Sequence, residues 1–330
     1  MIAYTRYLPI LFLAFGSCLF SQVKYSNNQM NLRNIDATVR IGIVVEQSSQ
    51  GNIAPETKDY FKNLKRLISI GNKLIHVKPV PLNAFVRSRL KFNKLTRREK
   101  ITSITNLVRE DLKKVNAIVF PGDDYNFPPF RANQDPLTEL LNYEGLKEIH
   151  DEQTIYGMSA REFYKRFPHH QLNPFPDSLI YEGILIETLA GLSLPILSSC
   201  HGTMMFGFIH GARFKAGIQG HVSHNSRMSE LLLGSKAAQL LGPHDTMTRH
   251  FHKIAMLKNN FPKSLIVSGW EGNLVEVLED PQNPYYIGFQ GHPELTASHP
   301  ALNFLVMNAI KKSNNGALVS DFETKQWKSY

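Results

Sequence analysis

The stretch LPILSSCHGTMMFGFIHGARF, residues 194–214, runs from an apolar segment into two serines and a cysteine, then His-Gly, then a second apolar segment. The first part, LPILSS, reads as a short buried strand, and HGTMMFGFIHG reads as the helix that follows it. A side chain at such a strand-to-helix junction sits on a sharp turn with the helix amino terminus beneath it. That setting stabilises a thiolate and any oxyanion formed beside it. Ser198 and Gly202 flank Cys200 at two residues on either side, and small neighbours suit a crowded turn. A buried structural cysteine is the competing reading of this window.

Working outward, the same alternation recurs. TVRIGIVVE (38–46) is a β-branched run suited to a strand buried on both faces, KLIHVKPV (73–80) is a second strand, and VNAIVFPGDD (115–124) is a third that ends in a proline-glycine turn. ETKDYFKNLKRLISIG (56–71) has helical spacing at Tyr60, Leu64, Leu67 and Ile68 and predicts a helix closed by Gly71. SLIYEGILIETLAG (178–191) predicts another helix, started at Asp177 or Ser178 and stopped by Gly191. LVEVLE and YYIGFQ flank DPQNP and predict an antiparallel hairpin. The order implies an α/β fold with a doubly wound, mostly parallel, flavodoxin-like sheet over residues 38–312. Residues 123–177, rich in proline and aromatics (YNFPPF, FPHHQLNPFP), read as an insertion beside the carboxyl ends of the strands, or else as a packing excursion away from any site. Residues 313–330 read as a polar tail.

Composition sets the outer limits. The chain has 330 residues, 42% hydrophobic and 20% charged, which excludes wholesale disorder. Residues 1–21 carry one arginine and an apolar run from Tyr7 to Phe20, too short to span a bilayer comfortably, and predict a signal peptide cleaved near Ser21. Export to the periplasm or medium is therefore expected, against an uncleaved anchor or a buried N-terminal helix. FGSC also resembles a lipobox ending at Cys18, although Phe15 stands where leucine is usual. Once the signal is removed, Cys200 is the one cysteine left, so no intrachain disulfide can form.

RSRLKFNKLTRREK (87–100) carries seven lysines or arginines and reads as a solvated helix face. Association with an anionic envelope surface is the secondary reading, and no nucleic acid partner is expected. His221 with His224, and His250 with His252, complete no ligand set in sequence, so neither a metal nor a cofactor is expected.

The second decisive window is YYIGFQGHPELT, which places His292 and Glu294 just after a strand. An imidazole can take the thiol proton, and a carboxylate two residues on can fix its tautomer. Taken together, the two windows resemble the class I glutamine amidotransferase superfamily, whose glutaminase domains carry a G-x-C-x-G elbow and a later HPE. LVEVLEDPQNPYYIGFQGHPEL is most similar to the end of the CTP synthase glutaminase domain, TMTRHFHKIAM (246–256) to the basic segment before it, and VFPGDD to the family's PGG oxyanion loop.

That resemblance implies Cys200 as nucleophile, His292 as base and Glu294 as its orienting partner. It implies Gly122 and His201 as oxyanion-hole donors, and Asp123 and Met204 at positions that meet substrate. Three departures stand out: Ser198 in place of glycine, Asp123 in place of the second glycine of PGG, and Met204 in place of a common glutamine. The implied activity is a thiol hydrolase acting on a γ-glutamyl or related amide of a small molecule or peptide. A glutaminase, and a non-catalytic binding protein on the same scaffold, stay open as alternatives.

Overall fold

Parallel pairing at the centre of one sheet positions the site. The computed structural model describes residues 38–45, 55–70, 73–82, 96–122 and 176–216, and also 218–314 apart from 219–220, 222–224, 227, 253 and 297. The expected signal peptide, Cys18, Asp123, residues 123–175 of the insertion, residues 87–95 of the basic run and the tail from 315 onward lie outside the described residues.

In chain order the elements begin with β1 (Thr38–Val44), α1 (Pro55–Leu64), β2 (Arg66–Ile70), β3 (Lys73–Leu82), α2 (Arg97–Leu112) and β4 (Ala117–Phe120). They continue with α3 (Pro176–Leu189), β5 (Ile196–Ser199), α4 (His201–Ile209), β6 (Phe214–Ala216), β7 (Asn225–Ser226) and β8 (Ser229–Leu231). The remainder are α5 (Lys236–Leu241), β9 (His244–Asp245), β10 (Arg249–His250), β11 (Ile254–Met256), β12 (Ile266–Glu271), β13 (Leu274–Glu279), β14 (Tyr286–Phe289), a 3-10 turn (Pro293–Leu295) and α6 (Pro300–Asn314).

Among the described residues the main sheet runs β2-β3-β1-β4-β5-β14-β13-β12-β8-β9. Strands β3, β1, β4, β5 and β14 are mutually parallel, and the strands beyond them on both sides are antiparallel. This is the expected doubly wound α/β class, with a long antiparallel margin added after the expected β13–β14 hairpin.

The central parallel strands β4, β5 and β14 are buried on both faces because helices cover both. Ile118, Phe120 and Ile196 belong to one buried cluster with Ile104 and Val108 of α2, Leu185 of α3 and Met205 of α4. The alternate residues Val119 and Leu197 are equally buried but belong to the other side of the pleat. There α6 packs on β1, β4 and β5, and α1 packs on β1 and β3. The start of α2 is fixed by a capping box. Thr96 Oγ1 accepts from the Glu99 N–H at 3.4 Å, and Glu99 Oε2 accepts from the Thr96 N–H at 2.7 Å. The described part of the basic run, Thr96–Lys100, is thus a helix start, with Arg98 and Glu99 exposed.

One expected element is corrected. The helix predicted over 56–71 stops at Leu64, and Arg66–Ile70 is an antiparallel edge strand paired with β3, Leu67 opposite His76 and Ile68 opposite Ile75. Tyr60 and Leu64 are buried on α1 as their spacing implied. Leu67 and Ile68 continued that spacing by coincidence: a free sheet edge beside β3 offers RLISI a ladder of backbone bonds, and tertiary pairing overrides the local period.

Candidate active site

Three strand ends converge. Register sets Phe120 beside Ser198 and Ser199 beside Phe289, so β4, β5 and β14 finish at one level of the sheet. Gly122, Cys200 and His292 emerge immediately beyond those ends, in the position where open α/β sheets place their ligands.

Cys200 occupies the N-cap of α4 with φ 42° and ψ −109°. A non-glycine residue at positive φ is strained, and here the surroundings fix it. Its N–H donates to the Phe289 carbonyl at 2.8 Å, and its own carbonyl accepts from the Met204 N–H at 2.9 Å. The next turn is held by the Gly202 N–H, which donates to the Pro121 carbonyl at 3.1 Å. A Cβ on Gly202 would lie 2.5 Å from the Phe120 Cβ and 2.6 Å from its carbonyl oxygen, so only glycine lets α4 sit this close to β4.

Ser198, one of the three departures, has a structural account. Its hydroxyl lies 2.9 Å from Thr203 Oγ1 and 3.1 Å from the Tyr286 hydroxyl, and Thr203 donates in turn to the Phe289 carbonyl at 2.8 Å. Gly288 makes the room: a Cβ there would stand 2.5 Å from Ser198 Oγ and from the Tyr286 hydroxyl. The serine therefore knits β5, α4 and β14 together beneath the elbow.

His292 and Glu294 are both fully buried, with Nδ1 and Oε1 2.7 Å apart. Burial by itself would lower the imidazole pKa. The Glu294 carboxylate, the Cys200 sulfur and hydrogen bonding to both outweigh it and hold the pKa well above its ordinary value. The ring is thus biased toward imidazolium beside the sulfur, the pairing by which thiol nucleophiles are activated.

Gly122 closes the group. A Cβ at that position would lie 2.6 Å from His292 Cε1 and 3.0 Å from Cys200 Cβ, so this glycine packs against Cys200 and His292 together. His201 contributes in two ways. Its N–H belongs to the first turn of α4, where no intrahelical acceptor exists. Its ring points away, with Nε2 3.2 Å from Glu182 Oε2 on α3. Met204 is buried in the apolar cluster under the elbow.

The His292 loop is braced by residues that sequence reasoning passed over. Asn63 Nδ2 donates to the Glu294 carbonyl at 2.6 Å. Tyr60 donates to Ser199 Oγ at 3.0 Å, and its phenol pKa is pushed well up, by burial first and then by the Glu294 charge. On the other side the His292 N–H donates to the Arg249 carbonyl at 2.7 Å, which brings the 246–256 segment against the loop. Tyr60 and Asn63 lie far from the HPE motif in sequence, and no local signal links them to it.

Residues 182–311 match the family described as glutamine amidotransferase class-I. Over that stretch, 130 of its 330 residues, the chain is similar to class I glutamine amidotransferases. It is 25% identical over 172 residues to anthranilate synthase component 2 of Pyropia yezoensis, covering 51% of this chain and 87% of that protein. It is 36% identical over 88 residues to CTP synthase of Pyrobaculum aerophilum, covering 25% of this chain but only 16% of the relative. Among solved structures it is similar to a glutamine amidotransferase from Thermotoga maritima, with TM-score 0.41 and 12% identity over 85% of this chain and 98% of that one. The matched stretch, residues 182–311, includes Cys200, His292 and Glu294.

The expectation about histidine pairs needs revision. His224 lies outside the described residues, but His221, His250 and His252 come together with Glu276 from β13, all four buried. Burial first, then the neighbouring histidines His250, His221 and His292, keep the His252 pKa well below its usual value.

Proposed function

We propose that the protein is a thiol hydrolase that cleaves a γ-glutamyl or related side-chain amide through a thioester on Cys200. The observation that carries this reading is the buried 2.7 Å His292–Glu294 pair packed, through Gly122, against a cysteine held at a helix start.

The Cys200 sulfur, its proton held on His292, attacks the amide carbonyl carbon. The carbon becomes tetrahedral, and its oxygen takes on charge within reach of the helix-start N–H of His201 and a second donor at Gly122. As the C–N bond breaks, His292 returns its proton to the departing nitrogen, and the amine leaves with the acyl group bound to sulfur. The neutral ring then takes a proton from water, hydroxide adds to the thioester, and the C–S bond breaks. A carboxylic acid is released and the thiol–imidazole pair is restored. Glu294 holds one ring tautomer throughout and offsets the imidazolium charge.

Hydrolysis without a synthetase partner, rather than ammonia delivery, is supported by the N-terminal 1–21 segment, which reads as an export signal. In this proposal the substrate is a small-molecule or peptide amide met outside the cytoplasm, with anchoring at Cys18 or contact through residues 87–100 as the envelope-associated form.

The test is covalent labelling of the secreted, processed chain by a glutamine-like electrophile, read by intact mass. Wild type is expected to gain one adduct, Cys200→Ser none, and the mass of the mature chain reports cleavage near Ser21. Equal labelling of both proteins, or of neither, favours a binding protein and overturns the hydrolase.

A further inference from the structure

We propose that His221, His250, His252 and Glu276 form a closed, four-ligand site for one divalent metal ion of the zinc class, beside the loop that carries His292. The four candidate ligand atoms all lie within 4.8 Å of one another. His221 Nδ1 is 3.1 Å from His252 Nε2, and His250 Nδ1 is 3.3 Å from the same atom. Glu276 Oε2 is 3.2 Å from His250 Nδ1 and 3.8 Å from His252 Nε2, and Glu276 Oε1 is 3.8 Å from His221 Nδ1. A tetrahedron of nitrogen and oxygen ligands with bonds of about 2.0–2.1 Å has edges of about 3.3 Å, so these separations match the shell of a single ion.

Hydrogen bonding around the cluster aims the lone pairs inward. His252 Nδ1 is used by the Ile254 carbonyl at 3.0 Å, which fixes the proton there and leaves Nε2 as a bare acceptor facing the other two rings. His221 turns its outer nitrogen, Nε2, toward Glu271 Oε2 at 3.3 Å. A ring that spends its far nitrogen on a carbonyl or carboxylate while the near one faces a shared centre is the arrangement that supports metal-bound histidine. The four side chains are at most 5% exposed, and one cation among them would compensate the buried Glu276 carboxylate.

Imidazole nitrogens with one carboxylate and no thiolate suit zinc, cobalt, nickel, copper or ferrous iron rather than magnesium or calcium. Four protein ligands leave no position for substrate, so the ion is structural. What it ties together is specific. The His252 N–H donates to the His221 carbonyl at 2.7 Å, His250 pairs with β7, and the Arg249 carbonyl next to it accepts from the His292 N–H. On the opposite side the Glu276 carbonyl accepts from the Gln290 N–H at 2.7 Å. The loop that presents the imidazole is thus held at Gln290 by the cluster residue Glu276, and at His292 by Arg249, the neighbour of the cluster residue His250.

The test uses the full chain without a histidine tag, with metal content measured by mass spectrometry after gel filtration. About one zinc-class ion per wild-type chain is expected, falling below roughly a tenth in His252→Ala and in Glu276→Gln, while Cys200→Ser keeps its ion. Should the variants fail to fold, chelator-stripped wild type titrated with cobalt(II) decides: visible bands of tetrahedral intensity must saturate at one equivalent and vanish on adding zinc. A wild-type chain that retains no metal and gives no cobalt bands overturns the site. So does a folded His252→Ala/Glu276→Gln double variant that binds the ion as wild type does. Retention by Cys200→Ser keeps this outcome separate from that of the labelling experiment.

Discussion

Replacing Glu294 with glutamine isolates the interaction that sets the His292 proton. The substitution is nearly isosteric and removes a charge 2.7 Å from the ring. At that distance, and at an effective dielectric of about 20, the gross attraction is about 6 kcal/mol, of which burial of the ring cancels a large part. Net shifts from one close opposite charge are about 1–3 pH units. Burial, the largest influence, lowers the His292 pKa, while Glu294 and Cys200 raise it, so losing Glu294 must move the value down. The assay is the pH titration of the His292 Cε1 signal in protein carrying carbon-13 histidine, assigned by its loss in His292→Gln. The midpoint is expected to fall by about 1–3 units, and labelling of Cys200 at neutral pH to slow about 10²–10⁴-fold as the imidazolium is depopulated and the tautomer freed. Midpoints agreeing within about half a unit in the two proteins would refute the electrostatic account of the pair.

Three further substitutions probe the scaffold. Gly122→Ala must push the His292 ring aside, so Cys200 labelling should drop about 100-fold with little change in the melting temperature; an unaltered rate would sink the convergence argument. Gly202→Ala meets the Phe120 backbone, which cannot yield as a flexible side chain does. A loss of about 1–3 kcal/mol or more is expected by denaturant titration, and a neutral result would show that α4 can shift freely. Ser198→Gly supplies the residue usual for the family yet should cost about 1–3 kcal/mol, because Thr203 and Tyr286 lose a buried partner; a stabilised variant would contradict this role.

What the sequence determined by itself was local. LPILSSC followed by HGTMMFGFI specified strand, elbow and helix because an apolar run, small flanking residues and a helical period sit next to one another in the chain. GHPE after YYIGFQ specified an imidazole and a carboxylate two residues apart, and the hairpin around DPQNP followed from its turn residues. RLISI misled because helical and strand periods overlap in so short an apolar run, and only the free edge of β3 decided between them.

The tertiary structure alone decided the long-range partnerships. Gly288 answering Ser198 is a matter of strand register, and Tyr60 and Asn63 under the HPE loop follow from where α1 packs. His221 and Glu276 are separated by 55 residues, yet they share one buried cluster because β13, which carries Glu276, packs against β11, just after His250 and His252 in the chain. Periodicity and motif spacing encode neighbours along a strand or helix. They carry no information on which distant side chains the sheet order and its register bring within hydrogen-bond reach.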